Sequence, residues 1–168
     1  MNKKRRRALR LAKAVFIRNA YERGGCGGCR ACCEALAVME LNKPYWRACQ
    51  HQCETGCAIY HARPKSCRAF YCSYLMGDTP AGGEYRPDNL GLLLCLDTCH
   101  LTQDVIIGVA LDCWEIRPGA FEANPWVKQL ATDIAERRGC VTVFFWPYGQ
   151  MPQNWDESGI KEALAESP

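Results

Sequence analysis

Apolar and polar positions change rhythm twice along this chain of 168 residues. Over residues 8–21, Ala8, Leu9, Ala12, Val15, Phe16, Asn19 and Ala20 share one face at helical spacing. Arg10, Lys13 and Arg18 fall mostly off that face, which predicts a surface helix. "CRACCEALAVMEL" (29–41) again has helical character and sets Cys29, Cys32 and Cys33 at i, i+3 and i+4 on one face. Residues 43–89 lose all periodicity. Pro44, Pro64, Pro80, Pro87 and the stretch "GDTPAGGEYRPDN" forbid long regular elements there.

From residue 90 the pattern becomes strongly apolar. "LGLLLCL" (90–96) and "DVIIGVAL" (104–111) read as two strands of a hairpin, with "DTCHLTQ" as the connecting loop. "NPWVKQLATDIAERRG" (124–139) predicts a helix with Asn124 as N-cap, Pro125 in the first position and Gly139 at the stop. Its expected buried stripe is Trp126, Val127, Leu130, Ile134 and Ala135. "CVTVFFW" (140–146) predicts a third strand, and a short helix over about 156–165 closes the chain. The expected fold class is α+β: a small cysteine-rich, metal-organised domain of irregular loops, with a short antiparallel sheet and packed helices. Residues 1–23 form a basic helical arm. Residues 24–168 form a single domain, with a metal-binding half (24–89) and a strand and helix half (90–168).

Charge and cysteine content alter this picture more than the overall apolar fraction does. The net charge is +3, yet residues 1–23 hold nine Lys or Arg against Glu22 alone, leaving the remainder acidic. The 13 cysteines fit either a secreted disulfide scaffold or a reduced metal-binding protein. The N-terminal run is basic, as in a signal peptide. However, Arg10 and Lys13 interrupt its apolar stretch and no A-x-A-like site follows. An odd cysteine count also suits paired disulfides poorly. The expectation is a cytoplasmic protein with reduced thiols and no transmembrane segment.

The densest cysteine stretch is "GGCGGCRACC" (24–33). Its glycines predict a turn with positive φ that lets backbone crowd around the sulfurs. Thiolate is a soft ligand for zinc, Cu(I) or an iron–sulfur cluster. A two-residue gap lets two sulfurs meet one ion at about 2.3 Å for zinc, as Cys26 and Cys29, or Cys29 and Cys32, would. Cys32 and Cys33 are harder to place on one ion, since adjacent Cα atoms lie only about 3.8 Å apart and the side chains diverge. Either one is a spectator, or they serve two metals or a cluster. A second group follows in "CQHQCETGCAIYHARPKSCRAFYC" (49–72), where Arg63, Lys65 and Arg68 would offset the charge of a thiolate-bound metal.

Cys26, Cys29, Cys32 and Cys33, followed by Cys57, Ile59, Tyr60, Arg63, Pro64, Cys67, Arg68 and Phe70, resemble the signature of the YkgJ-type zinc- or iron-chelating proteins. That signature is CxxCxxCC with a downstream C-x-I-Y-x-x-R-P-x-x-C-R-x-F segment. The resemblance covers residues 26–72 and implies metal binding. The family is similar to the metal-binding part of flagellin lysine methylases, which implies a reaction only weakly. The candidate ligands are Cys26, Cys29, Cys32, Cys33, Cys53, Cys57, Cys67 and Cys72, holding zinc or iron, the latter as an ion or as an iron–sulfur cluster. The roles of Cys49, Cys53 and Cys72 stay open.

Plainer roles fit the other candidates. Cys95, Cys113 and Cys140 lie in or beside apolar strands and read as small core residues. Cys99 and His100 are a less favoured late ligand pair. His51 and His61 read as loop residues near the cysteines, and Glu115 as an exposed acid at a strand end. No P-loop, dinucleotide glycine fingerprint, H-E-x-x-H or G-x-S-x-G is present. The Cys26–Cys29–Cys32 spacing approaches that of bacterial ferredoxins, but their fourth cysteine and following proline are missing. Two alternatives to a plain metal-binding protein remain. One is an iron–sulfur redox or protein-modifying enzyme. The other is a nucleic-acid-associated module, or one that meets an acidic protein, using Lys3, Lys4, Arg5, Arg6 and Arg7.

Overall fold

The computed structural model describes residues 22–23, 25–102 and 105–150, with the side chains of 99–102, 105 and 106 excepted. The predicted helix over 8–21, the basic residues Lys3 to Arg7 and the closing helix over 156–165 lie outside the described residues.

The architecture is α+β, built on one three-stranded sheet with a layer on each face. Strands β3 (Leu92–Thr102) and β4 (Val105–Glu115) form an antiparallel hairpin. The expected loop "DTCHLTQ" is mostly strand, because pairing continues to Thr102 opposite Val105, with register shifts around His100. Strand β5 (Thr142–Trp146) runs parallel to β4. The expected all-antiparallel sheet is therefore wrong at its third strand. A parallel neighbour needs a crossover, and helices α5 (Ala120–Ala123) and α6 (Val127–Arg138) supply it between β4 and β5.

Both faces of the sheet are covered, which explains why "LGLLLCL" is continuously apolar rather than alternating. Leu92, Leu94, Leu111 and Cys113 face α6, packing on Val127, Ala131, Ile134 and Ala135. Leu93, Cys95 and Trp114 face the cysteine-rich half, packing on Ala31, Ala35, Cys72, Tyr74 and Leu75. In α6, Ala131 is part of the buried face and Trp126 is not. Trp126 precedes the helix, is exposed, and meets Tyr85 edge-on. Gly139 ends the helix at φ +67, and the Cys140 N–H donates to the Ala135 carbonyl at 2.8 Å.

The cysteine-rich half consists of short pieces. These are α1 (Ala31–Ala35), the two-residue strands β1 (Gln52–Cys53) and β2 (Gly56–Cys57), α2 (Lys65–Ala69), α3 (Ser73–Met76) and α4 (Pro87–Leu90). The helix expected across 29–41 stops at Ala35, and Leu36 is already extended. Among the described residues no helix is long and apolar enough to cross a membrane.

Two buried carboxylates brace the sheet. Glu115 is buried rather than exposed. Its two oxygens accept from the Phe121 and Tyr148 backbone N–H groups, each at 3.0 Å, so it ties β4 to α5 and to the segment after β5. Asp112 accepts from Trp146 Nε1 at 3.0 Å. Burial pushes its carboxyl up to about 6, and the charge of Asp97 adds to this against the Trp146 hydrogen bond. The folded chain therefore favours protonated Asp112. That stability is full below pH 4 and is lost as pH rises through about 6. Asp112→Asn is neutral throughout. Its advantage over the native chain should grow from near zero at pH 4 to about 3 kcal/mol above pH 7. Urea unfolding at pH 4 and 7.5 checks this; an advantage independent of pH would refute it.

Candidate metal centre

Local ties gather the cysteine segments around one cavity of about 170 Å³. The turn at 25–29 comes first: Gly25 and Gly27 have φ of +62 and +49, and the Cys29 N–H returns to the Cys26 carbonyl at 2.8 Å. Helix α1 then carries Cys32 and Cys33. The Cys49 N–H donates to the Cys33 carbonyl at 3.0 Å, and Gln52 Nε2 donates to Glu34 Oε1 at 2.9 Å, so the next segment docks on α1. The β1–β2 hairpin delivers Cys57. Its Gly56 lies so close to the first turn that a Cβ there would sit 2.8 Å from the Gly27 carbonyl oxygen, at a φ of +124. Only glycine permits that approach. Finally, Glu40 accepts hydrogen bonds from the Ser66 N–H and hydroxyl, which holds the start of α2, and with it Cys67, against the Met39–Leu41 turn.

Among the described residues, seven cysteines line the cavity: Cys26, Cys29, Cys32, Cys33, Cys49, Cys57 and Cys67. His51 and Arg63 join them, while Leu36, Val38, Leu41, Ile59 and Phe70 complete apolar walls. Six of the eight candidate ligands are thus brought together. Cys53 is not among them; its Sγ lies 3.5 Å from Thr55 Oγ1 at the hairpin tip. Cys49 lines the cavity instead. Cys72 is buried beneath it, in the cluster that Cys26, Cys29 and Cys32 pack against, and it bridges Cys95 in an isolated antiparallel pair. Cys95 and Cys113 are buried in the core, as expected, and Cys140 packs at its margin. His61 stands in an exposed turn.

All twelve cysteines whose side chains are described are free thiols. As the side chains stand, among the described residues no three His, Cys, Asp or Glu converge on a point that could hold a metal ion. The donor set nonetheless fits a soft metal in kind. It fits in number too, because seven thiols exceed the four that one tetrahedral zinc takes.

The electrostatics of the thiols are uneven. Burial pushes Cys29 up to about 12 and raises Cys26 and Cys67. Cys33 behaves oppositely and is lowered to about 7, chiefly by the hydrogen bond from Cys32, with Lys43 and Arg63 helping. Cys32, as the donor, is raised. The adjacent pair that is harder to place on one ion thus has opposite tendencies, Cys33 toward thiolate and Cys32 toward thiol, and both line the cavity. Arg63 is held in place by its Nε bond to the Tyr60 carbonyl at 2.8 Å and by stacking 3.6 Å over the Tyr60 ring. Lys65 and Arg68 are exposed and do not line the cavity. The cation that the sequence reading misses is Lys43, which belongs to no motif; it is buried, and its Nζ donates to the carbonyl of Leu36 in the cavity wall.

No protein-family model, curated protein or solved structure matches this chain.

Proposed function

We propose that this is a metal-binding protein whose centre is held by thiolates of the cavity formed by Cys26, Cys29, Cys32, Cys33, Cys49, Cys57 and Cys67. The observation that carries the reading is the gathering of seven free cysteines from four separate segments onto one largely apolar cavity. Thiols at this density in a reduced protein normally serve a metal. The bound group is zinc or iron, including an iron–sulfur cluster, and a reducing, cytoplasmic setting would keep the ligands available. Cys53 and Cys72 drop out of the ligand set, and Cys49 enters it. Membership of the YkgJ-type proteins is part of the proposal and rests on the motif in residues 26–72.

The group would supply folding energy, because such a site does not exist in the unfolded chain. The chain's own residues would orient the thiolates and exclude water from them. Cys29, Cys26, Cys32 and Cys67 are raised, so each would release its proton on binding, and occupancy should fall as pH falls. The test is metal and acid-labile sulfide analysis, with an absorption spectrum, on protein purified without oxygen. Stoichiometric zinc or iron is expected. A reduced, folded chain with neither would overturn the proposal.

A further inference from the structure

Lys43 presents a charge that needs a partner. It is only 5% exposed. The turn through Asn42, at φ +48, and the isolated bridge between Val38 and Lys43 hold it against the cavity wall to which Leu36 and Val38 belong. Its Nζ donates to the carbonyls of Leu36 and Pro44, the latter at 3.2 Å. Those oxygens satisfy hydrogen bonds, not charge. Burial disfavours its charged form, and thiolates at Cys33, Cys49, Cys32 and Cys67, all lining the cavity, would favour it. Burying an ammonium without an anion is costly. Of the cavity thiols only Cys33 is lowered toward thiolate, whereas several metal-bound thiolates together carry a net negative charge.

We propose that Lys43 is the built-in counter-cation of the thiol cavity, a positioning residue that stabilises the metal-loaded state through its charge. The inference rests on the proposed metal centre and adds to it a determinant outside every cysteine motif. Arg63 is a second cation of the cavity wall, tied to Tyr60 by stacking and by its bond to the Tyr60 carbonyl. Lys43 and the metal favour each other: the cation lowers the cost of gathering thiolates, and the thiolates supply its counter-charge.

The test uses the reduced full chain and Zn²⁺ alone, in competition with a chromophoric zinc chelator. Lys43→Met keeps the apolar stem and removes the charge, and Lys43→Arg keeps the charge. Affinity for zinc should fall about 10- to 100-fold in Lys43→Met, the range for groups supporting metal ligands. Lys43→Arg should recover most of the loss. Circular dichroism of the chains in saturating Zn²⁺ controls for folding. If Lys43→Met does not fold, Lys43→Gln, which keeps a donor without a charge, takes its place and should show the same loss. Native affinity in the uncharged variant would overturn the role of Lys43, as would an equal loss in Lys43→Arg. A native chain that binds no zinc, and carries no iron as purified, would overturn the metal centre itself and this role with it.

Discussion

Cys29→Ser and Cys67→Ser are each expected to lose bound metal and to unfold the cysteine-rich half, while Cys113→Ser keeps its metal. The two proposed ligands come from different segments: Cys29 from the glycine turn, Cys67 from α2, and both line the cavity. A structural zinc contributes on the order of 10–16 kcal/mol of apparent binding energy at neutral pH. That is as large as the whole stability of an ordinary domain, about 5–15 kcal/mol. A serine hydroxyl does not replace a thiolate on a soft metal. Losing one ligand therefore removes the main reason for residues 43–89 to be ordered, since their helices span at most five residues. Cys113 is buried against α6 on the opposite face of the sheet. A serine there strands a hydroxyl in the core at a cost of about 1–3 kcal/mol, with no effect on metal. Metal per chain and thermal unfolding of the three variants check the prediction. Equal metal content in all three would contradict it.

Trp114→Ala should destabilise the chain by about 3–5 kcal/mol, the range for truncating a buried tryptophan. Trp114 is 2% exposed and stands at the join of the two halves. One side of its ring stacks with Tyr45 at 5.2 Å between centroids, and it stacks with Trp146 at 5.4 Å. Trp46 meets it edge-on at 6.0 Å. Truncation opens a cavity between β4, β5 and the segment around residue 45, all of which depend on that ring. Trp114→Phe should cost clearly less, because the buried Nε1–H has no hydrogen-bond partner among the described residues. Urea unfolding of the two variants measures the difference. Equal losses would show that the indole edge, not aromatic packing, holds the join.

The sequence announces elements where burial is two-sided or periodic. The three apolar runs and the 124–139 pattern locate β3, β4, β5 and α6, because continuous apolar stretches must be covered on both faces. The direction of β5 is less visible, because a helix between two strands is compatible with either direction. The hairpin loop is overestimated because "DTCHLTQ" is polar, and exposed positions such as Asp97 and Thr98 stay polar without ceasing to pair. Around the cavity, the glycine turn and the CxxCxxCC spacing are legible from local geometry alone. The exchange of Cys53 for Cys49 is not, because it depends on where a two-residue hairpin points its tip. Lys43 and Glu115 are hidden for a related reason. Lys43 sits in a short loop and Glu115 at the end of β4, and a sequence shows no sign that a charged residue at such a place will be folded inward.

The most direct test is differential alkylation of the reduced native chain, with metal bound and after chelation, read cysteine by cysteine by mass spectrometry. The account predicts metal-dependent protection of the cavity thiols, Cys49 among them, while Cys53 is labelled in both states and buried Cys113 in neither. Protection of Cys53 in place of Cys49, or labelling of the cavity thiols that is indifferent to metal, would contradict it.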